Sequence, residues 1–247
     1  MRTQHSVTIV VPVFNEAENF PLFYQSICRH VRERFRIVVV YDSSDDTTLP
    51  VARQISRRDE RVELVRNCGP GVAGALRTGL AHVVEGPVIV SMADLSDDHA
   101  KIEQMLRLHD EGADLVVASR YCPGGRQLGG PLLKRALSQG AGWSLRMLGA
   151  LPTSDPTNSF KLYSQRLLES VNIESAQGFA LALELTVKAH ALGLRIAEVP
   201  ATWHDRTAGK SNFRIFRWLP TYLRWYVQAL AARRKTPTPI ATNATAS

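Results

Sequence analysis

Apolar and polar positions along this chain follow two alternating rhythms. Short β-branched runs, apolar on both faces, recur at residues 7–13, 37–40, 62–65, 88–92 and 115–118. Between them, residues 17–31, the segment after Thr48, residues 72–84 and residues 99–111 carry apolar side chains at helical spacing. Asn15 with Glu18 three positions on is the spacing of a capping pair that would start the first helix. Fully buried strands alternating with helices predict an α/β fold, a Rossmann-like, mostly parallel sheet flanked by helices. In such sheets crossovers are right-handed and ligands sit at the carboxyl ends of the strands. The residues at those ends are Asn15-Glu16, Asp42, Asp94 and Arg120. Asp and Asn are ordinary loop residues there. The convergence of Glu16, Asp42, Asp94 and Arg120 on one predicted edge is what points to a phosphate and metal site.

After Arg120 the alternation stops. A Gly-rich loop spans 123–131, a helix runs to about Leu148, segments through Tyr163 are less regular, and another helix covers 179–190. Residues 213–230 differ in kind. Arg214, Arg217, Thr221, Arg224 and Gln228 recur every three or four positions, with Ile215, Phe216, Trp218, Leu219, Leu223, Trp225, Tyr226 and Val227 around the rest. Pro220 is expected to kink this helix. An arginine stripe beside a wide Trp- and Tyr-rich arc suits a helix lying in a membrane interface, and each basic residue of the following Arg233-Arg234-Lys235 would add about 1 kcal/mol near an anionic leaflet. The competing reading packs this helix on its own domain or on a second subunit. Residues 236–247 show no apolar period and read as a disordered tail. The expected division is a catalytic domain at 1–212, an amphipathic interfacial helix at 213–235 and the tail.

Composition narrows the classes. With 247 residues, 45% hydrophobic and 21% charged, the chain is globular rather than disordered or collagen-like. Thirty Lys and Arg against 23 Asp and Glu leave a charge of +7, which favours an anionic partner. Three cysteines, Cys28, Cys68 and Cys122, without CxxC spacing argue against a disulfide framework or zinc site, and so for a reducing cytoplasm. The polar start and the lack of a long apolar run predict neither secretion nor membrane spanning. Gly69-Pro70-Gly71 and Gly74 lack the Lys and spacing of a P-loop, and no GxGxxG follows the first strand. His99, His190 and His204 show no metal-ligand spacing. Basic residues are not interleaved with stacking aromatics outside the terminal helix, so no nucleic acid is expected.

Longer motifs then carry a likeness. Val11-Pro12-Val13-Phe14-Asn15-Glu16, Tyr41-Asp42-Ser43-Ser44-Asp45-Asp46-Thr47-Thr48, Ala93-Asp94-Leu95-Ser96, Ser119-Arg120-Tyr121, Asp155 through Tyr163, and Glu198-Val199-Pro200 through Ser211 stand in the order seen in family 2 glycosyltransferases. The chain resembles that family over about residues 7–230, and most nearly its polyprenol-phosphate (dolichol-phosphate) mannosyltransferases. The resemblance implies the glycosyltransferase A fold and an enzyme that moves a hexose of mannose or glucose type, with inversion. The donor would be a nucleotide-diphospho-sugar and the acceptor a polyprenyl phosphate at the cytoplasmic membrane face. Pro12, Phe14 and Glu16 would line base and ribose, with Phe14 where the family usually has Tyr, and Asp42 would read the base. Asp94, with Ala93 beside it in the donor site, would bind Mg²⁺ or Mn²⁺. Arg120, Lys134, Arg135, Arg206 and Lys210 would hold phosphates, with Ser138 one helical turn after Lys134. Lys134 falls where Arg is commoner, and an ammonium lacks Arg's planar fork. Asp94, Arg120 and Arg206 would carry the catalytic roles, and Glu184 would face the acceptor phosphate or the sugar hydroxyls.

Elementary chemistry agrees with this pattern. Breaking a sugar–phosphate bond concentrates negative charge on the departing nucleoside diphosphate, so cations must meet it. A phosphate acceptor is already ionised and needs no general base. Two departures stand out: Met92-Ala93-Asp94 replaces Asp-Ala-Asp, and Tyr41-Asp42 replaces a double Asp. One metal-facing carboxylate is gone. Mg²⁺ commonly uses one or two carboxylates with substrate phosphates and water, and Asp97 or Asp98 is available as a second oxygen or as a helix cap. Two alternatives follow: transfer to a saccharide with Glu184 as base, and a catalytically impaired sugar-nucleotide or membrane-binding protein.

Overall fold

The β-branched runs become the inner strands of one sheet because their side chains meet apolar partners on both faces. The computed structural model describes residues 6–205 and 215–232. In chain order the elements are β1 (Val7–Val13), α1 (Phe20–His30), β2 (Phe35–Tyr41), α2 (Thr48–Ser56), β3 (Val62–Arg66), α3 (Gly71–Ala81), β4 (Val88–Val90), a 3₁₀ turn (His99–Lys101), α4 (Ile102–Asp110) and β5 (Leu115–Ser119). There follow β6 (Arg126–Leu128), α5 (Leu132–Met147), β7 (Lys161–Tyr163), α6 (Gln165–Ser170), α7 (Ala180–Ala191), β8 (Ile196–Pro200), β9 (Thr202–His204) and α8 (Ile215–Ala232). Seven strands form the main sheet in the order β3-β2-β1-β4-β7-β5-β8, and β6 pairs with β9 apart from it. All main-sheet pairs are parallel except those of β7, which runs antiparallel to both β4 and β5.

Strand periodicity sorts the core into two layers. Ile9, Val11, Ile37 and Val39 face α1 and α4 through Phe20, Phe23, Ile27, Ile102 and Met105. Val10, Val38, Val40 and Val90 face α3 and α7 through Leu76, Leu80, Leu181 and Leu185. Gly79 lets α3 lie tight on the sheet, since a Cβ there would fall 2.3 Å from Val10 Cγ1.

Two expectations are corrected. The first helix starts at Phe20 rather than residue 17, and Asn15 and Glu18 form no cap. Asn15 takes a left-handed φ of 57°. It accepts from the Thr47 amide with Oδ1 and donates its own N–H to Asp46 Oδ1, tying the end of β1 to the loop before α2. The irregular stretch before Tyr163 contains β7, too short at three residues to show a period. The terminal helix, α8, lies against its own domain. α8 packs on α7 and α5 through Trp225 and Ala229, against Leu145, Leu151, Leu183 and Val187. Trp225 is 1% exposed, and its Nε1 donates to Ser175 Oγ at 2.9 Å. Arg224 pairs with Glu174 and, with Lys188, lies over the Trp225 ring. The helix continues through Pro220. Among the described residues no helix is long and apolar enough to cross a membrane. Arg206, Lys210, Arg214, Arg233 to Lys235 and the 236–247 tail lie outside the described residues.

Candidate active site

The register carries the chain out of β1, β2 and β4 on one edge: Val13 lies opposite Tyr41, and Val10 opposite Val90. Pro12 is the penultimate residue of β1, and Phe14 leaves it more than half exposed. The Glu16 amide donates to Thr48 Oγ1 at 2.9 Å, and Glu16 Oε2 accepts from Asn19 Nδ2 at 2.6 Å, so the loop after β1 is braced from both flanking helices. Asp42 follows β2, where its Oδ1 accepts from Asn67 Nδ2 at 2.5 Å. Asn67 is a hub that the sequence reading missed. Its Oδ1 accepts from the Gly69 amide at 2.9 Å and from Thr78 Oγ1 at 3.1 Å, and its amide donates to the Tyr41 carbonyl. Its one sequence signal is its place as the polar residue ending the third strand.

Asp94 and Ala93 sit in the turn after β4, both largely buried. Asp94 Oδ1 accepts from the Ser96 amide at 3.1 Å, closing a tight turn in which Leu95 has φ 60°. Met92 packs toward the α3 and α7 side of the core, so the position where the family shows a second carboxylate is apolar and turned inward. Asp97 Oδ2 accepts from Ser91 Oγ and from the Met92 amide, each at 2.9 Å, and thereby braces the same turn. Asp98 stands at the start of the 3₁₀ turn without capping it, and its Oδ2 instead accepts from the Thr202 amide at 3.3 Å. The His204 amide donates to the Ser96 carbonyl, which ties the end of β9 to the Asp94 turn.

Behind Asp97 lies a buried polar line. Ser91 Oγ hydrogen-bonds with His99 Nε2 at 3.1 Å, and His99 Nδ1 with Ser26 Oγ at 2.8 Å. The imidazole packs edge-on to Phe23 and Phe160. Burial holds it down to about 4, while burial, aided by the charge of Asp94, pushes the Asp97 carboxyl up to about 7. The two shifts act oppositely on stability. Between about 4 and 6.5 the unfolded chain protonates His99 but the folded one does not, so that contribution is lost as pH falls. Over about 4 to 7 the folded chain keeps the Asp97 proton that the unfolded one releases, so that contribution is lost as pH rises. In Asp97→Asn the urea midpoint is therefore expected to fall from pH 6.5 toward 4.5, relative to wild type. In His99→Gln it is expected to fall from pH 4.5 toward 7. Parallel profiles in both variants would contradict the assignment.

Arg120 is committed before any ligand arrives. Its Nε and Nη2 donate to Asp155 Oδ2 and Oδ1 at 2.7 and 2.8 Å, its amide donates to Oδ2 at 3.0 Å, and Nη2 also reaches Ser138 Oγ at 3.2 Å. Asp155 is fully buried. The Arg120 fork faces an internal carboxylate, because a buried Asp155 needs that partner. Ser138, expected near phosphate, hydrogen-bonds with Thr157 Oγ1 at 2.7 Å and joins α5 to the Asp155 loop. Lys161 fastens the other end of that loop. Its fully buried Nζ donates to the Pro156 and Ala182 carbonyls and to Thr186 Oγ1 at 2.6 to 2.8 Å, and burial pushes the ammonium down to about 7. All three N–H groups are thus used.

Glu184, expected to face the acceptor phosphate or the sugar hydroxyls, is turned into the protein. It is fully buried in α7, where Oε1 accepts from the Glu174 amide and Lys188 Nζ, and Oε2 from the Ser175 amide, at 2.6 to 2.8 Å. An anionic side chain inside an apolar helix needs those donors, which closes it to substrate. Arg135 is exposed in the first turn of α5, which also carries Lys134 in its backbone. No group of three His, Cys, Asp or Glu able to hold a metal occurs among the described residues. Asp94 follows β4 as Asp42 follows β2, and a single carboxylate is enough for a divalent ion held chiefly by substrate oxygens rather than caged by protein.

Residues 8–171, about two-thirds of the chain, match the sequence profile described as Glycosyl transferase family 2. This chain belongs to glycosyl transferase family 2. The glycosyltransferase is 29% identical over 226 residues to a polyprenol monophosphomannose synthase of Mycolicibacterium smegmatis, covering 86% of this chain and 82% of that one. It is 29% identical over 211 residues to an undecaprenyl-phosphate mannosyltransferase of Micrococcus luteus, covering 83% and 86%. Glucosyl-3-phosphoglycerate synthase from Mycobacterium tuberculosis, solved with Mn²⁺, UDP and glucosyl-3-phosphoglycerate, superposes with a TM-score of 0.66 at 18% identity, over 95% of this chain and 82% of that chain. The fold class and the family resemblance expected from the sequence are both borne out: this glycosyltransferase has the glycosyltransferase A fold.

Proposed function

We propose that this glycosyltransferase moves a hexose from a nucleotide-diphospho-sugar to a polyprenyl phosphate, with inversion, at the cytoplasmic face of the membrane. The observation that carries the acceptor assignment is the sealing of Glu184 inside α7. A saccharide hydroxyl needs a base to take its proton, and the sequence's candidate for that base is occupied. An ionised phosphate oxygen needs none. It attacks the anomeric carbon, the bond from that carbon to the diphosphate oxygen breaks, and the electron pair leaves on the nucleoside diphosphate. The names of the two relatives, each a polyprenyl-phosphate mannose enzyme, support the same acceptor class.

In this reading Pro12, Phe14 and Glu16 line the base and ribose, Asp42 reads the base, and Ala93 allows close approach of the diphosphate. Asp94 would hold Mg²⁺ or Mn²⁺, which supplies charge neutralisation of the diphosphate when bound. The structural neighbour's complex with Mn²⁺ and UDP supports a divalent ion. Arg135 and Lys134 on α5, with Arg206 and Lys210, supply cations for acceptor and leaving phosphates. Arg120 acts as a positioning residue through Asp155. Asn67→Ala, which leaves Asp42 without its anchor, is expected to raise the KM for the donor about tenfold with kcat nearly unchanged. An unaltered donor KM would remove Asp42 from base recognition.

The test is recovery of label in the organic phase when the purified chain meets radiolabelled nucleotide sugars, polyprenyl phosphate and Mg²⁺ or Mn²⁺, with metal-free controls. Lipid-linked label of inverted anomeric configuration is the expected result. Label on a soluble saccharide would overturn the acceptor, and neither transfer nor donor hydrolysis with any sugar would overturn the enzyme reading.

A further inference from the structure

We propose that a cavity at the amino-terminal edge of the sheet, opposite the edge that carries Asp42 and Asp94, is a second anion site that takes a small ligand bearing a diphosphate group. The cavity has a volume of about 430 Å³ and is lined by Ser6, Arg32, Glu33, Arg34, Phe35 and Arg61. These residues precede or open β1, β2 and β3, which run parallel, so they gather at one edge. The seven residues of β1 separate that edge from the Asp42 and Asp94 side by about 20 Å. No step of the proposed transfer uses any of them.

The positions of the three arginines are set before any ligand binds. The Arg32 amide donates to Glu103 Oε1 at 2.8 Å, the Arg34 carbonyl accepts from the Val7 amide at 2.9 Å, and the Arg61 carbonyl accepts from the Ile37 amide at 2.8 Å. Ser6 is fixed by close approach to Gly86, where a Cβ would fall 2.3 Å from the Ser6 carbonyl oxygen. The Arg61 side chain is held as well. Its Nε and Nη2 donate to the Asp59 carboxylate at 2.6 to 3.1 Å, Tyr24 Oη donates to the same carboxylate at 2.6 Å, and the guanidinium lies 4.3 Å from the centroid of the buried Phe35 ring. A site ordered in advance loses little entropy on binding.

Charge selects the occupant. Arg36 pairs with Glu63 at 2.6 Å, but Arg32 and Arg34 are exposed and form no ion pair among the described residues. Their two planar forks are therefore unspent, and Arg61 keeps the two N–H groups of Nη1. Three guanidinium groups around one hollow, against the single carboxylate of Glu33, repel one another until an anion comes between them. Guanidinium forks match phosphate oxygens in pairs. Two free forks beside a fixed third cation exceed what one phosphate needs and suit two linked ones. The volume falls within the range of about 300–1,000 Å³ usual for small-molecule sites.

Calorimetric titration of the full chain with inorganic pyrophosphate in EDTA, which keeps divalent ions from Asp94, measures this site directly. Wild type is expected to bind pyrophosphate, less tightly at high salt. Arg32→Ser with Arg34→Ser should weaken binding about tenfold or more with an unchanged urea midpoint, since both side chains are exposed and unpaired. Arg57→Ser with Arg58→Ser removes the same charge from exposed positions after α2, outside the cavity lining, and should bind as wild type does. Glu33→Gln should tighten binding about threefold by removing the one negative charge of the lining. Asp94→Asn should leave it unchanged. A nucleoside diphosphate, titrated into wild type and the Arg32/Arg34 double variant, shows by the same loss of affinity whether an esterified diphosphate is also taken. No binding by wild type, binding that survives loss of Arg32 and Arg34, or equal weakening in both double variants would overturn the site. Loss of binding in Asp94→Asn alone would move pyrophosphate to the opposite edge and overturn it too. The inference does not rest on the transfer reading: sugar transfer without pyrophosphate binding would overturn this site alone, and pyrophosphate binding without transfer would overturn that reading alone.

Discussion

Asp94→Asn is expected to lower sugar transfer by about a thousandfold or more, in a protein whose urea midpoint matches wild type. The amide keeps an oxygen to accept from the Ser96 N–H, so the turn with its left-handed Leu95 survives. What disappears is the negative charge that would hold a divalent cation against the diphosphate, and electrostatic stabilisation of a leaving group is commonly worth several kcal/mol. Because Met92 faces the core and Asp97 is spent on Ser91 and Met92, the neighbouring residues offer no ready replacement. Donor binding measured with and without Mn²⁺ gives an independent readout: the metal should tighten nucleotide-diphosphate binding in wild type and not in the variant. Full activity in Asp94→Asn would sink the metal assignment.

The second large effect is on stability. Asp155→Ala removes a fully buried carboxylate from under Arg120 and leaves the guanidinium without its charged partner, a change of about 3–5 kcal/mol. The Arg120 amide loses its acceptor as well. Replacing both partners is less harmful than replacing one, since the penalty arises from the stranded charge. Arg120→Met with Asp155→Ala should therefore recover much of the loss in urea unfolding, although transfer stays impaired because α5 and the 155–161 loop lose their common anchor. A single-variant loss below about 1 kcal/mol, or strict additivity in the double variant, would show that the pair is not the keystone described.

How far the chain can be read without coordinates depends on which physical signal each element leaves. The parallel strands and their helices were legible because burial on both faces writes long β-branched runs. For the same reason the strand-end edge of the sheet was legible, since Glu16, Asp42 and Asp94 follow those runs directly. β7 was not, because three residues cannot show a period, and its antiparallel course between β4 and β5 is a tertiary decision. Asn15 misled because an Asn three residues before an acid reads as a cap whether its backbone is extended or left-handed. For α8 the helical pattern shows which residues share a side, not which side is covered. Trp225 and Leu223 belong to differently directed apolar stripes, and only the packing of α7 and α5 decides between them. Glu184 did carry a usable sign. A carboxylate among Leu181, Leu183, Leu185 and Val187, with Lys188 four residues on, belongs to a buried pair.

The reversed strand β7 also orders the assembly of the sheet in time. β1 to β4 are contiguous in space as well as in sequence, so their pairings can form as soon as residue 90 is available. β5 has no direct neighbour among them. It joins only through β7, some forty residues later, and β8 must then wait for β5. During synthesis the donor half would stand as a four-stranded platform while the remainder of the sheet is still being made, with the open edge of β4 exposed until Lys161 to Tyr163 arrive to cover it.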